Sequence, residues 1–337
     1  SSDLVCGGSS SEVGRLNMGT WSDQTVLAAF ALVMALLVDV RWGEPPAKLH
    51  PVVWMGRFLD HAGRWAAPKV GTSVPAQDHG AWTRGALAWL AGAIGVVGVA
   101  WGLQCLLAKW PVWIAAPCLG LLLKPMLSWK MLRGEVRAVG SALSHSLAAG
   151  RERLAFLCSR DVHQLDATGV RETAIETLAE NLNDSVVAPL FWFAMAGLPG
   201  AALYRYANTA DAMWGYRGVR GGRCWEWAGK WAARADDVLS WVPARLTAAL
   251  LVLAGGRLWM PGLSREARQT ASPNGGWPMG AMALLLGVRL GKPGVYLLHA
   301  QGRGVLAGDM DLACRLAART VWLSVPLCWL IVGGLHV

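Results

Sequence analysis

From Ala86 to Ala108 the chain runs for 23 residues without a formal charge. A helix of that length is about 35 Å long at 1.5 Å per residue, enough to cross a hydrocarbon layer roughly 30 Å thick. Such a segment is too apolar to expose in water, so it sets the solvent for much of the fold. Lys109 interrupts it, and Pro111 to Leu123 then gives 13 further uncharged residues ending at Lys124, which reads as the second arm of a tight helical hairpin. Thr25 to Val38 and Thr320 to Leu335 are shorter uncharged runs that span with local thinning or snorkelling at their ends. With 54% hydrophobic and 16% charged residues, disordered, collagenous and disulfide-scaffold chains are excluded. The reading is an all-α, polytopic integral membrane protein.

The run Val186 to Leu203 is also uncharged, but Pro189, Gly197, Pro199 and Gly200 break helices rather than extend them. The segment before it, 124–185, holds eight basic residues and the one after it, 204–245, holds seven. Basic residues mark the cytoplasmic side, so this symmetry gives no reason to put a membrane between the two segments. A re-entrant or buried hairpin is expected, with both polar segments on one face. Residues 1–20 are Ser/Gly-rich and read as a disordered leader, and 21–337 as one membrane-embedded α-helical domain. The run from Val26 to Val38 is followed by Asp39-Val40-Arg41-Trp42-Gly43 rather than a small-residue cleavage site, so it is expected to stay in the mature protein. Many of the 20 Trp residues lie at the ends of apolar runs, where indoles suit the headgroup level. Trp192, Trp214, Trp225, Trp227 and Trp231 lie in or beside the polar middle, where a flat ligand is an alternative use.

The net charge of +9 suits anionic lipid, a phosphate-bearing ligand or nucleic acid. Nucleic acid is disfavoured because the basic residues are spread over many loops rather than gathered on one face. The seven cysteines show no CxxC or paired Cys/His spacing, which points to plain thiols. No Walker loop, HExxH or GxSxG occurs, and Gly302-Arg303-Gly304-Val305-Leu306-Ala307 matches GxGxxA without a strand-helix context.

Chemistry gathers in four polar segments, 39–60, 159–184, 204–245 and 272–280. On a helix from about Val170 to Asp184, the residues Glu172, Glu176, Glu180 and Asp184 recur at every fourth position with Asn181 beside them, and Ile175, Leu178, Ala179 and Leu182 form the opposite, core-facing side. A solvated acidic face is the plain alternative. Exposed faces usually interleave Lys or Arg, however, and this one has no base after Arg171. Carboxylates left uncompensated attract a divalent cation, and magnesium binds through one or two carboxylates plus substrate phosphates. Asn208 with Asp211 and the doublet Asp236-Asp237 add oxygen donors, while Arg160, Arg234 and Arg245 supply planar forks for phosphate or carboxylate. An intrahelical salt bridge is the alternative use of Arg234. His50, before Pro51, fits either a loop-fixing hydrogen bond or a ligand contact, and Asn274 fits either a turn or a substrate contact.

Six segments carry a family resemblance: HPVVWMGR (50–57), SRD (159–161), ETAIETLAENLNDSVVAPLF (172–191), YRYANTADAMWGYR (204–217), AARADDVLSWVPARLTA (232–248) and SPNGGWPMGAMALLLGVRLGKPGVY (272–296). Together they resemble the cobinamide-phosphate synthase family of cobalamin biosynthesis, called CbiB or CobD. The resemblance implies a multi-pass enzyme of the bacterial inner membrane with a cytoplasmic active site. It implies ATP- and Mg²⁺-dependent amide ligation of adenosylcobyric acid with (R)-1-aminopropan-2-ol or its O-phosphate, with soluble accessory or other corrinoid-pathway proteins as partners beside the lipid bilayer. By matched position and chemical type, Glu180, Asp184 and Asp237 are expected at Mg²⁺, Arg160, Arg234 and Arg245 at phosphates, and Glu176 at the amine proton. Arg234 and Glu176 are thus the expected catalytic pair. His50, Arg57, Asp161, Asn181, Asn208, Asp211 and Asn274 are expected to bind or orient substrate. A non-catalytic membrane sensor of the same superfamily is the alternative. A transporter is disfavoured, since the charges lie between the apolar runs rather than inside them.

Overall fold

The computed structural model describes residues 13–70, 77–158 and 160–335, with side chains over 25–334 of these. Of the leader expected over 1–20, residues 1–12 lie outside the described residues, as does Ser159 of the SRD segment. Helix α1 (Val13–Trp42) leads to α2 (Pro51–Ala66), and α3 (His79–Leu107) with α4 (Val112–Leu123) forms the expected hairpin. Next come α5 (Trp129–His145), α6 (Leu147–Leu154) and α7 (Ala167–Leu182), which passes through a π-helical stretch, Asn183–Val187, into α8 (Ala188–Trp214). A ribbon, β1 (Val219–Arg220) with β2 (Arg223–Cys224), precedes α9 (Lys230–Leu239), α10 (Trp241–Ala254), α11 (Leu263–Ala267) and α12 (Gly276–Leu286). A second ribbon, β3 (Leu290–Lys292) with β4 (Tyr296–Leu298), leads into α13 (Ala307–Leu335). The two ribbons are the only sheets among the described residues, and the all-α reading holds.

Five stretches are long and apolar enough to cross a membrane: Thr25–Trp42, His79–Leu107, Val112–His145, Ala167–Trp214 and Ala307–Gly334. The α9 and α10 pair, bent by 45°, makes a sixth if counted as one span. Large apolar side chains stand on the outside, including Ile94 at 72% and Leu330 at 74% exposure. In water each would cost about 1.5–3 kcal/mol relative to burial, whereas lipid solvates them. Close approach replaces side-chain bulk where helices meet. A Cβ at Gly120 of α4 would lie 2.9 Å from the Ala31 carbonyl oxygen of α1. At the polar end of this pair the buried Lys124 ammonium meets Asp39 at 3.2 Å and Glu44 at 2.9 Å. A lysine withdrawn from water requires such partners.

The Pro/Gly-rich segment breaks as its composition predicts. Ala196 (φ −143°, ψ 20°) and Gly197 (φ 65°, ψ −158°) leave the helical region inside α8. A straight helix would hold Asp184 and Asn208 about 36 Å apart, yet Asn208 Nδ2 donates to Asp184 Oδ2 at 3.3 Å. The chain therefore doubles back at Ala196–Gly197 into a helical hairpin. Its tip is closed by Gln104 of α3, whose Oε1 accepts from the Leu198 backbone N–H at 2.7 Å. Nearer the polar end, Tyr206 donates to the Trp89 carbonyl of α3 at 3.1 Å. Gln104 and Trp89 lie near opposite ends of the uncharged Ala86–Ala108 run, so the second arm of the hairpin parallels most of that run. Asn208 and Asp211 sit at its Ala86 end, the edge of the apolar layer.

Gly197 has the positive φ that only glycine adopts cheaply, and a Cβ there would lie 2.4 Å from Gln104 Oε1. Gly197→Ala is predicted to cost about 1–3 kcal/mol and to lower the thermal midpoint in detergent. Gly98→Ala, where a Cβ meets nothing within 4 Å, serves as the control and should hold or raise it. Equal midpoints for the two variants would contradict the hairpin turn.

Candidate functional site

Asp166 starts α7 by accepting from the Gly169 N–H at 2.7 Å, which satisfies one of the free donors of the first turn. The helix then buries Ile175, Leu178, Ala179 and Leu182 completely, as its pattern requires. The acidic stripe on the other side is not a uniform solvated face. Glu176 is only 2% exposed. Arg160 binds it at 2.9 Å through Nη2, donates to Thr173 Oγ1 at 2.8 Å through Nη1, and lies 3.5 Å from the Gly291 carbonyl of β3. Glu176 Oε1 is buried with no hydrogen-bond partner. Glu172 pairs loosely with Arg289 at 3.8 Å, and Glu180 is exposed. The β3–β4 ribbon covers this stretch and turns the Tyr296 phenol toward Glu176. Burial, reinforced by the Glu176 charge, raises the Tyr296 pKa, so the phenol stays protonated.

Beyond Glu180 the helix widens into the π-helical stretch, an irregularity frequent at functional sites. It carries Asp184 to the second arm of the α8 hairpin. There Tyr204 reaches Asp184 Oδ1 at 3.4 Å and Ser240 Oγ at 3.0 Å. Arg205 donates to Ser185 Oγ at 3.2 Å and to the Asp184 carbonyl at 3.3 Å. The Asn208 amide is shared between Asp184 Oδ2 at 3.3 Å and Asp236 Oδ1 of α9 at 3.4 Å. Asp211 feels the charges of Asp237 and Asp184, and Asp236 those of Asp184, Asp211 and Asp237. Four carboxylates from the π-helical stretch, α8 and α9 thus share one electrostatic neighbourhood.

The turn at 272–275 forms a third wall. Asn274 is 4% exposed. It donates to the Asp237 carbonyl at 2.8 Å and accepts from Arg245 at 3.2 Å. The Arg245 guanidinium lies over the Trp241 and Trp277 rings, 4.2 and 4.9 Å from their centroids. A Cβ at Gly275 would come within 3.2 Å of Glu180 Oε1, so glycine lets this wall approach the acidic stripe.

Glu176, Glu180, Asp184, Asn208, Asp211, Asp237, Asn274, Arg160 and Arg245 are therefore brought to one region. Among the described residues, the remaining expected ones form no hydrogen bond or ion pair with the groups of this region. Arg234 and Arg57 are exposed. Asn181 donates to its own helix at the Thr177 carbonyl, and Asp161 caps the His163 N–H at 3.0 Å. His50 caps α2 through Nδ1 and meets Glu44 at 2.9 Å through Nε2. That is the loop-fixing role, and it joins His50 to the Glu44–Lys124–Asp39 network. Tyr204, Arg205, Tyr296 and the Glu44–Lys124 pair escape sequence reasoning because they are single polar residues inside or beside apolar text. Asp236 was visible only as half of a doublet, and facing Asn208 is what separates it from Asp237.

Among the described residues no group of three or more His, Cys, Asp or Glu side chains closes to metal-ligating geometry. The donor set still fits a hard divalent cation. Asp184, Asp211, Asp236 and Asp237 have no Lys or Arg ion pair among the described residues, whereas Glu176 and Glu172 do. Magnesium needs one or two such carboxylates when a substrate supplies phosphate oxygens.

The family model described as "CobD/Cbib protein" matches residues 32–323. The chain is 39% identical over 269 residues to the "Probable cobalamin biosynthesis protein CobD" of Pyrococcus abyssi, covering 79% of this chain and 83% of that one. It is 38% identical over 313 residues to the "Cobalamin biosynthesis protein CobD" of Stutzerimonas stutzeri, covering 90% and 95%. The protein of that name from Chromobacterium violaceum is 36% identical over 328 residues, covering 92% and 99%. No solved structure matches the chain.

Asp236→Asn keeps the oxygen that accepts from Asn208 while removing one charge from the cluster. It is predicted to raise the thermal midpoint in magnesium-free detergent by roughly 2–4 °C, the effect of about 1 kcal/mol, and to abolish stabilisation by added Mg²⁺. A variant that Mg²⁺ stabilises as much as the parent would contradict the cation reading.

Proposed function

The chain belongs to the CobD/Cbib protein family, and from that premise we propose that it joins the free carboxylate of adenosylcobyric acid to the amine of (R)-1-aminopropan-2-ol or its O-phosphate. The reaction consumes ATP and requires Mg²⁺. We place it in a bacterial inner membrane with the acidic region facing the cytoplasm, where nucleotide and any soluble accessory protein meet it. The observation that carries this reading is the pairing of a cluster of four carboxylates, none of them in an ion pair among the described residues, with a buried, arginine-held glutamate at the edge of the apolar layer.

A carboxylate is a poor acyl donor because its leaving group is oxide. Phosphoryl transfer from ATP converts it to an acyl phosphate and releases ADP. Amine attack on the acyl carbon then expels phosphate and forms the amide. Bound Mg²⁺ would be held by Asp184 with Asp236 or Asp237, and by Glu180, and it supplies charge neutralisation at the phosphates. The chain's own groups do the rest. Glu176 Oε1, buried without a hydrogen-bond partner, receives the proton that the ammonium must lose before it attacks. Arg160 fixes the other oxygen of Glu176 and so orients the carboxylate. Arg234, exposed on α9 beside the doublet, is free to meet a phosphate, whereas Arg245 positions Asn274 and the wall it belongs to.

In detergent with cobyric acid, aminopropanol phosphate, ATP and Mg²⁺, the parent is expected to give a corrinoid product whose mass marks the new amide. Glu176→Gln and Asp237→Asn should lower turnover at least about 100-fold with unchanged membrane abundance, whereas Leu178→Asp should lower abundance itself. No product from the parent, with accessory proteins supplied, would favour the sensor reading. Full turnover in both carboxamide variants would remove the residue roles.

A further inference from the structure

A second polar cavity lies on the α5 and α13 side of α7. It has a volume of about 360 Å³ and is lined by Arg137, Ser141 and Ser144 of α5, Arg171 of α7, and Asp311 and Cys314 of α13. Its electrostatics are opposite to those of the acidic cluster. Among the described residues Arg160, Arg289 and Arg303 each meet a carboxylate within 4 Å, but Arg137 and Arg171 meet none. Arg171 reaches only the Ala167 carbonyl of its own helix, at 3.4 Å. Arg133, one turn before Arg137, also bears on Cys314 at the cavity wall, and its Nε is buried without a partner. Three guanidinium groups therefore face or flank the space, against one acid among its lining residues. Arginines without a carboxylate partner, set beside hydroxyls, offer the planar, multiply donating surface that phosphate oxygens contact; Arg137 otherwise reaches the Cys314 thiol. The cavity also lies on the polar side of Thr320, where the uncharged part of α13 begins. At that height both lipid headgroups and soluble phosphates have access.

We infer that the cavity between α5, Arg171 and the start of α13 is a phosphate-ester binding site, separate from the acidic region. Phosphatidylglycerol at the membrane surface and a soluble organic phosphate present the same chemistry. The full chain, purified in mild detergent, distinguishes them by native mass spectrometry with added phosphatidylglycerol and by thermal shift with glycerol 3-phosphate. The Arg137→Gln/Arg171→Gln double variant should weaken whichever binding the parent shows by about tenfold or more. Gly140→Leu fills the cavity without changing charge, its Cβ meeting only Met310 at 3.5 Å, and should do the same. Lipid adducts lost in both variants assign the site to a headgroup. A saturable shift with glycerol 3-phosphate, lost in both, assigns it to a soluble ester. Binding that is absent from the parent, or unchanged in either variant, overturns the proposal.

Discussion

A backbone that reverses inside an apolar layer has to satisfy its own polar groups, because no water is there to do it. Here the Gln104 amide accepts the Leu198 N–H, and Gly197 supplies the conformation that other residues cannot adopt cheaply. That one capped turn decides where everything else in the polar region stands. Without it Asp184 and Asn208 would occupy opposite ends of a long helix. With it, the π-helical stretch faces the second arm of the hairpin, and α9 closes over both.

The arrangement carries internal tension. Two carboxylates that share the Asn208 amide would, with both ionised, repel by about 3 kcal/mol if roughly 6 Å apart at an effective dielectric near 20. Asp211 and Asp237 add to that repulsion. Surrounding helices must supply the stability to hold these groups together, and they do so by burial on the opposite face of α7, by neutral donors from Tyr204, Asn183 and Asn208, and by the charge of the Arg205 guanidinium beside Asp184. Arg205 offsets charge at Asp184 without forming an ion pair with any of the four, whereas Lys124 is paired directly with Asp39 and Glu44. The contrast between these two buried polar groups separates structural use of charge from charge kept open for a ligand.

Much of this was legible in the sequence. Uncharged length gave the α3–α4 hairpin, the Pro/Gly pattern gave the break near Gly197, and four-residue spacing gave the acidic stripe with its core-facing reverse. What periodicity cannot carry is tertiary partnership. Nothing along the chain tells that Arg160 is taken up by Glu176 and Thr173, or that Arg245 is drawn to Asn274. The π-helical stretch was equally hidden, and its partners Tyr204, Arg205 and Asn208 lie 20 or more residues away. His50 shows the opposite case: its place before Pro51 fits both a loop-fixing bond and a ligand contact, and only the Glu44 partner distinguishes them.

The hairpin is the claim on which the rest stands, and a distance across it tests that claim directly. Spin labels at positions 181 and 212, on a cysteine-depleted full-length chain in nanodiscs, lie on opposite arms. Pulsed dipolar spectroscopy should find them about 10–25 Å apart, as expected of packed helices bearing flexible labels. A distance near 46 Å, the length of an unbroken helix between those positions, would contradict the account.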